Sequence, residues 1–184
     1  MMIIVAGVSG SGKTTVGAML AGRLGWRFAD ADDFHPAANI EKMRAGIPLT
    51  DDDRWPWLRA IGAWMDECIA RNEPAVITCS ALKRSYRDVL LGGRPQARMV
   101  FLAVDRQVIA GRLAARHGHF FPGQLLGTQF DDLEPPQPDE HVLTIVPAGE
   151  PADTVASIIA VLFPQEQGPS GALGGEHEAE AGPA

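Results

Sequence analysis

The sequence predicts an α/β fold in which helices cover both faces of a parallel β-sheet. Short apolar runs, typical of strands buried on both sides, recur along the chain. Segments with apolar residues at helical spacing separate these runs. A glycine-rich loop follows the first run, and in folds of this class ligands bind at the carboxyl ends of the strands.

The first strand is predicted at Met2–Ala6, and the loop after it reads GVSGSGKT, which matches G-x-x-x-x-G-K-[ST]. The helix that follows has an apolar face and ends near Gly25. Loop amides and the helix N-terminus can bind a phosphate chain, so we expect a nucleoside triphosphate here. Lys13 would contact the β- and γ-phosphates, and the Thr14 hydroxyl would bind Mg²⁺. The alternative is a glycine-rich turn with a solvated Lys13. The residues assigned to the nucleotide in this loop are Gly7, Ser9, Gly10, Ser11, Gly12, Lys13, Thr14 and Thr15.

The remaining elements alternate between strand and helix. Apolar residues from Trp57 to Cys68 fall on one helical face and are expected to pack in the core. Ile109 and Leu113 mark a second such helix, and residues 155–162 mark the last one. The other strands are predicted at residues 26–29, 75–78, 99–103 and 142–146.

Composition indicates one globular domain. The chain has 184 residues, of which 46% are hydrophobic and 21% charged, and we assign residues 1–163 to the domain. Residues 164–184 contain a single large aliphatic side chain, Leu173, and are expected to be a disordered tail.

The net charge of −7 argues against nucleic acid as a partner, and no apolar run is long enough for a membrane span or a signal peptide. Two cysteines without metal-like spacing suit reduced thiols in the cytoplasm.

Acidic residues follow the second predicted strand, at the sheet edge where the nucleotide is expected. Asp30, Asp32 and Asp33 lie there. One could help to hold Mg²⁺ through water, and another could accept a proton from an attacking hydroxyl. The alternative is that these residues cap the next helix or form an exposed acidic turn.

Cations follow the third predicted strand. Lys83 and Arg87 are four residues apart, so a helix would present them on one face near the active edge. Many phosphate-loop proteins have a metal-supporting aspartate at the end of this strand, but residues 78–80 read TCS. The acidic group after the second strand must then support the metal, as in small-molecule kinases.

A long segment before the last strand, residues 117–140, is predicted to be a lid or binding loop. Asp105 can cap the helix that precedes it, in which Arg112 and Arg116 share one face. Lid closure would bring Arg116 onto the phosphates and expel water. Arg112 either contacts phosphate as well or is a solvated helix residue. The histidines show no zinc-like spacing, so Mg²⁺ is the expected metal.

Three blocks of sequence resemble the gluconokinase family. They read DADDFHPAANIEKMRAGIPLTDDDRWPWL (residues 30–58), CSALKRSYRD (79–88) and GHFFPGQLLGTQFDDLEPP (118–136). The resemblance extends over nearly all of residues 3–163. It implies ATP-dependent phosphorylation of D-gluconate to 6-phosphogluconate by a cytoplasmic homodimer. It also implies a nucleoside-monophosphate-kinase-like fold with a five-stranded parallel sheet and a mobile lid.

The resemblance also implies roles for particular residues. Asp32 matches the acidic residue near the sugar hydroxyl, as base or orienter of the 6-hydroxyl, and Asp30 is assigned to the water shell of the metal. Arg54 matches a position that binds a substrate carboxylate in related kinases, although pairing with a neighbouring aspartate is the alternative. Catalysis is assigned to Lys13, Asp32 and Arg116. Further candidates for substrate contact are His35, Lys83, Arg87 and Gln129.

The sequence leaves several alternatives open. His35 could contact substrate or only cap the turn before Pro36. Adenine is expected beside residues 147–151, where backbone contacts would leave no signature in the side chains. A kinase for another small hydroxyl compound, such as shikimate or a nucleotide, would use the same scaffold. A nucleotide-binding module without catalysis is the remaining class.

Overall fold

A computed structural model of the chain describes residues 1–115 and 123–164, and in this part the strands form a five-stranded parallel sheet in the order β2-β3-β1-β4-β5. The elements are β1 (Met2–Ala6), α1 (Lys13–Leu24), β2 (Arg27–Asp30), a 3₁₀ helix (Ala31–Phe34), α2 (Ala37–Arg44), α3 (Asp51–Ala70), β3 (Ala75–Cys79), α4 (Arg84–Leu91), β4 (Ala97–Leu102), α5 (Arg106–Ala115), α6 (Gly123–Asp131), a second 3₁₀ helix (Pro138–Glu140), β5 (Leu143–Ile145) and α7 (Pro151–Leu162).

Side chains of the central strand alternate between the two faces of the sheet, as the period of two requires. Ile4 packs with the buried faces of α3 and α4, whereas Ile3 and Val5 pack with α1 and α7. Every residue of β1 and of β3 is buried. The predicted α/β architecture and its five strands are confirmed. The bounds of β1 are as predicted, and those of β2 to β5 differ from the prediction by at most two residues at either end.

Two helices of the described chain have no counterpart in the sequence analysis. Helix α2 is short and has only two large apolar side chains, Ile40 and Met43, and α6 contains glycines that weaken a helical pattern. Helix α6 and the second 3₁₀ helix occupy the described part of the predicted lid segment. Residues 116–122 and the predicted tail after residue 164 lie outside the described residues.

The glycine-rich loop sits tightly against the sheet. Gly7 has φ +142°, and a Cβ there would lie 2.9 Å from the Leu102 carbonyl oxygen and 3.0 Å from Ser11 Oγ. The position therefore requires glycine. Helix α1 begins directly after Gly12, which has a left-handed conformation. Among the described residues, no helix has the length and apolar character needed to cross a bilayer.

Candidate active site

A cavity of about 500 Å³ opens at the carboxyl ends of β1, β2 and β3. The glycine-rich loop forms one wall, and α2 with the segment after it forms an apolar wall that the sequence analysis did not identify. The described residues that line the cavity are Ser9, Gly10, Gly12, Lys13, Thr14, Thr15, Asp30, Asp32, His35, Ile40, Met43, Arg44, Ile47, Pro48, Leu49, Arg54, Trp57, Cys79, Ser80, Leu82, Thr128 and Gln129.

Lys13 folds back over the loop, and its Nζ donates to the Val8 carbonyl oxygen at 3.0 Å. Burial lowers the pKa of Lys13, while the nearby Asp32, Cys79 and Asp30 act in the opposite direction. An anionic phosphate beside Nζ would further favour the ammonium form. The amine is thus held where the loop can present it to a phosphate chain.

Thr14 and Asp30 join helix α1 to the end of β2. Thr14 Oγ1 donates to Asp30 Oδ2 at 3.0 Å, and Asp30 Oδ1 accepts from the backbone N–H of Asp32 at 3.1 Å. Asp30 therefore caps the first 3₁₀ helix, as one alternative proposed, and still directs its second oxygen to Thr14.

A hydroxyl and a carboxylate oxygen are the hard ligands that suit Mg²⁺, which usually keeps several waters and binds substrate phosphates. The Thr14–Asp30 pair therefore fits such an ion. The described residues contain no cluster of three or more His, Cys, Asp or Glu side chains that could hold a metal alone. These residues therefore suit an ion whose other ligands are phosphate oxygens and water molecules.

Asp32 lines the cavity next to Asp30 and Lys13. Burial and the charge of Asp30 raise the pKa of Asp32, against the opposing effect of Lys13. A raised pKa makes the carboxylate a better proton acceptor. Asp32 and Asp33 both keep solvent-accessible surface, so the burial that affects Asp32 is partial, and Asp33 is not among the described residues that line the cavity.

The ring of His35 stacks on Trp57, with centroids 4.4 Å apart and planes at 9°. Trp57 is itself fixed by a hydrogen bond from its Nε1 to the Ala31 carbonyl oxygen at 2.7 Å. Burial, together with the charge of Arg54, lowers the pKa of His35 to about 4. The imidazole is therefore neutral at pH 7.

Arg54 lines the cavity from α3 and is held by a polar network. Its Nη1 donates to the Tyr86 hydroxyl at 2.9 Å and to Asp132 Oδ2 at 3.0 Å. Asp51 Oδ1 lies 3.7 Å away, so the predicted alternative of pairing with a neighbouring aspartate is correct in part. Asp132 and Tyr86 are partners that the sequence analysis missed, because they lie far away in the chain.

Lys83 and Arg87 are not among the described residues that line the cavity. Lys83 Nζ is paired with Asp51 at 2.8 and 3.1 Å. Arg87 is fully buried, and Glu140 binds its Nε and Nη2 at 2.6 and 2.9 Å. Its Nη1 donates to the carbonyl oxygens of residues 81 and 82. The expectation that Arg87 contacts substrate is corrected, since its donors are occupied by protein acceptors.

Gln129 also lies at the cavity, where its Oε1 accepts from the backbone N–H of Ser9 at 2.7 Å. It therefore contacts the glycine-rich loop.

Cys79 ends β3 at the cavity floor, and burial raises the pKa of its thiol to about 12, so the neutral thiol is a poor metal ligand. Arg112 belongs to α5, but its side chain, like the whole of Arg116, lies outside the described residues.

Comparison with known proteins shows which families the chain resembles. A family model described as an AAA domain matches residues 2–136. The gluconokinase of Gluconobacter oxydans (strain 621H) is 48% identical over 143 residues, which cover 78% of this chain and 80% of the relative. The thermoresistant gluconokinase of Escherichia coli (strain K12) is 45% identical over 160 residues, with 86% and 91% covered. The crystal structure of a gluconokinase from Sinorhizobium meliloti 1021 superposes with a TM-score of 0.78 at 48% identity, covering 88% of this chain and 90% of that one.

Proposed function

The chain belongs to the gluconokinase family, and from this premise we propose that it transfers the γ-phosphoryl group of ATP to the 6-hydroxyl of D-gluconate. The products are 6-phosphogluconate and ADP. One observation supports the proposal most strongly: Lys13, Asp32 and Arg54 line the same cavity. A phosphate-binding amine, a candidate base and a carboxylate-binding guanidinium are the groups that this reaction needs.

The nucleotide side of the reaction is assigned to the glycine-rich loop. Its amides and the N-terminus of α1 would bind the phosphates, and Lys13 would neutralise charge on the γ-phosphoryl group. Thr14, with Asp30 acting through water, would hold Mg²⁺, which supplies further charge neutralisation when bound. Arg116 and Arg112 remain proposed phosphate contacts.

Asp32 is proposed as the residue that orients the 6-hydroxyl and accepts its proton. The carboxylate lies beside Lys13, so the hydroxyl that it binds would lie next to the terminal phosphate. The raised pKa of Asp32 favours proton acceptance as the oxygen attacks phosphorus. Positioning and charge stabilisation supply most of the rate of such transfers.

Arg54 is proposed to bind the carboxylate of gluconate. The hydrogen bonds of Arg54 to Tyr86 and Asp132 use Nη1. Among the described residues, Nε and Nη2 of Arg54 have no hydrogen-bond partner, and these two donors form the edge that binds a carboxylate with two parallel bonds. A neutral sugar would leave this edge unpaired.

A coupled ADP-release assay with a panel of acceptors tests the proposal. We expect turnover with gluconate and little with glucose, shikimate or AMP. A Lys13→Met variant is the control for contaminating kinases, and it should release no ADP above background. Phosphorus NMR of the product should show a phosphate ester of a primary alcohol. Equal rates across the panel would refute gluconate as the substrate.

Location and assembly are proposals from the family. We propose a cytoplasmic homodimer that binds no nucleic acid, and the free, buried thiols of Cys68 and Cys79 suit a reducing compartment. Light scattering on the purified chain tests the dimer: a mass near twice 19.7 kDa is expected, and a mass of one chain would refute it.

A further inference from the structure

We propose that Asn39 fixes His35 as the neutral tautomer that has its proton on Nε2, which makes His35 a hydrogen-bond donor to a hydroxyl oxygen of the substrate. Asn39 is then a positioning residue, and His35 contributes to selection of a polyol. The assignment of the tautomer stands on contacts within the chain. The identity of the acceptor as a gluconate hydroxyl rests on the proposed function.

The tautomer follows from the two contacts of the Asn39 amide. Asn39 Nδ2 lies 2.9 Å from the carbonyl oxygen of Asp53. A carbonyl oxygen only accepts, so the nitrogen of the amide must face it. The same nitrogen lies 3.3 Å from Nδ1 of His35, and an amide nitrogen only donates. Nδ1 of His35 must therefore accept, which leaves the proton of a neutral ring on Nε2.

Several segments of the chain hold this arrangement in place. Asn39 is only 4% exposed and belongs to α2, while Asp53 belongs to the first turn of α3. Lys42 and the capping box of Thr50 bind the Asp53 carboxylate, so the acceptor carbonyl is fixed together with the helix. Trp57 supports the face of the His35 ring, as described above. Neither the amide nor the imidazole can turn without breaking these contacts.

The Nε2 edge of the His35 ring can form a hydrogen bond with a ligand. His35 lines the cavity, and its Nε2 has no hydrogen-bond partner within residues 1–115 and 123–164. A neutral N–H is a donor for a hydroxyl oxygen, whereas Arg54 already supplies charge for a carboxylate. A polyol acid offers both kinds of oxygen. The Nε2–H group thus complements the hydroxyl-bearing part of such a substrate.

The first test is spectroscopic and uses the full chain without ligand. Long-range proton–nitrogen correlation spectra of isotope-labelled protein separate the two imidazole tautomers, and a His35→Gln sample assigns the signal. We expect His35 to be the Nε2–H form at pH 7. In Asn39→Leu, which removes the donor to Nδ1, the Nδ1–H form should gain population. A wild-type signal of the Nδ1–H form, or a charged ring, would overturn the inference.

The second test is kinetic and compares two amides at position 35. Glutamine puts its amide N–H close to the place of imidazole Nε2, whereas the shorter asparagine does not, and each removes the stacking on Trp57. We expect His35→Asn to lose about tenfold more kcat/KM for gluconate than His35→Gln, the effect of one hydrogen bond, with the loss mainly in KM. The KM for ATP should not change. Equal losses in the two variants would contradict the donor role.

These experiments can reject the inference about the His35 tautomer without rejecting the proposed function, and the reverse. A wild-type Nδ1–H signal together with normal turnover of gluconate would reject the role of Asn39 and keep the proposed function. An Nε2–H signal without turnover of gluconate would support the tautomer and reject the substrate. A set of monodeoxy gluconates then names the accepting hydroxyl: the analogue that lacks it should show no difference between His35→Asn and His35→Gln.

Discussion

The buried ion pair between Arg87 and Glu140 yields the sharpest stability prediction. Arg87 is 0% exposed and Glu140 is 3% exposed, and they are joined by two parallel hydrogen bonds. The pair connects α4 with the 3₁₀ helix Pro138–Glu140, just before β5. Glu140→Gln keeps the shape of the side chain and removes its charge, which leaves the guanidinium buried without a counter-ion.

Loss of one partner of a buried pair costs about 3–5 kcal/mol. Glutamine keeps an acceptor oxygen for the guanidinium and for the backbone N–H of Gln137, so we expect a loss near the lower limit, about 3 kcal/mol. For a domain of this size, such a loss lowers Tm by roughly 6–12 °C. Urea unfolding at pH 7 should show a lower midpoint with an unchanged slope.

A neighbouring pair supplies the control. Arg84 Nη2 binds Asp139 at 2.7 Å between the same two segments, but these side chains are 46% and 63% exposed. Exposed pairs contribute little to stability, so Asp139→Asn should leave the urea midpoint within experimental error. Equal stability of Glu140→Gln and Asp139→Asn, combined with a raised KM for gluconate in Glu140→Gln, would refute the structural role of Arg87.

The same pair predicts a dependence on pH. The hydrogen bond from Arg87 is the main cause that holds the pKa of Glu140 below its usual 4.5. A depressed pKa means that this stabilisation is complete above the unfolded pKa and is lost as pH falls through the folded one. The difference in stability between wild type and Glu140→Gln should therefore be constant from pH 6 to 8 and should shrink below about pH 4.5. A difference that grows on acidification would contradict this account.

Three further predictions concern the site and the first helix. Asp32→Asn should lower kcat by about 10²–10⁴ while ATP still binds, and Asp33→Asn, beside it but outside the cavity lining, should keep nearly normal turnover; similar rates for the two variants would remove Asp32 as the base. Arg54→Met should raise KM for gluconate by about tenfold or more and leave KM for ATP unchanged, as measured by steady-state kinetics with each substrate varied. Gly17→Ala should cost about 1–3 kcal/mol in urea unfolding, because its Cβ would lie 2.6 Å from a methyl group of β3, whereas Gly22→Ala, which meets nothing within 4 Å, should stabilise the helix by about 0.5–1 kcal/mol.

The sheet could be predicted because its signals are local. The central strands β1 and β3 are short apolar runs that are buried along their whole length, and most of β4 is apolar too, so these runs stand out from the amphipathic helices. The edge strand β2 carries a charged residue at each end and is only partly buried. Helix α2 could not be recognised in the same way. Its one buried residue is the polar Asn39, Lys42 binds Asp53, and its large apolar side chains, Ile40 and Met43, line the cavity, so the helix has no apolar face buried in the core.

The different environments of Arg54 and Arg87 could not be predicted from the sequence. Arg54 and Arg87 are both arginines on helices near the active edge, and their neighbours in sequence do not distinguish them. Their surroundings differ because Glu140, 53 positions from Arg87, binds its Nε and Nη2, and two carbonyl oxygens bind its Nη1. Asp132, 78 positions from Arg54, binds one nitrogen. Only the folding of the segment after α6 against α3 and α4 decides which of the two guanidinium groups keeps donors without a protein partner among the described residues.

The proposed acidic support of the metal illustrates the opposite case, in which strand order makes a prediction possible. In the parallel sheet β2 pairs with β3, with Asp30 opposite Thr78, so the last residue of β2 lies one position from Cys79 at the same edge. An acid at the end of either strand can therefore approach the helix that begins at Lys13. Thr14 donates to Asp30 of β2, and Cys79 of β3 stays neutral. A third carboxylate at position 79, beside Asp30 and Asp32, would raise the pKa of Asp32 further and favour its protonation. The chain thus places these two carboxylates at the end of β2 and in the 3₁₀ helix that follows it, where we propose that Asp30 serves the metal and Asp32 the hydroxyl.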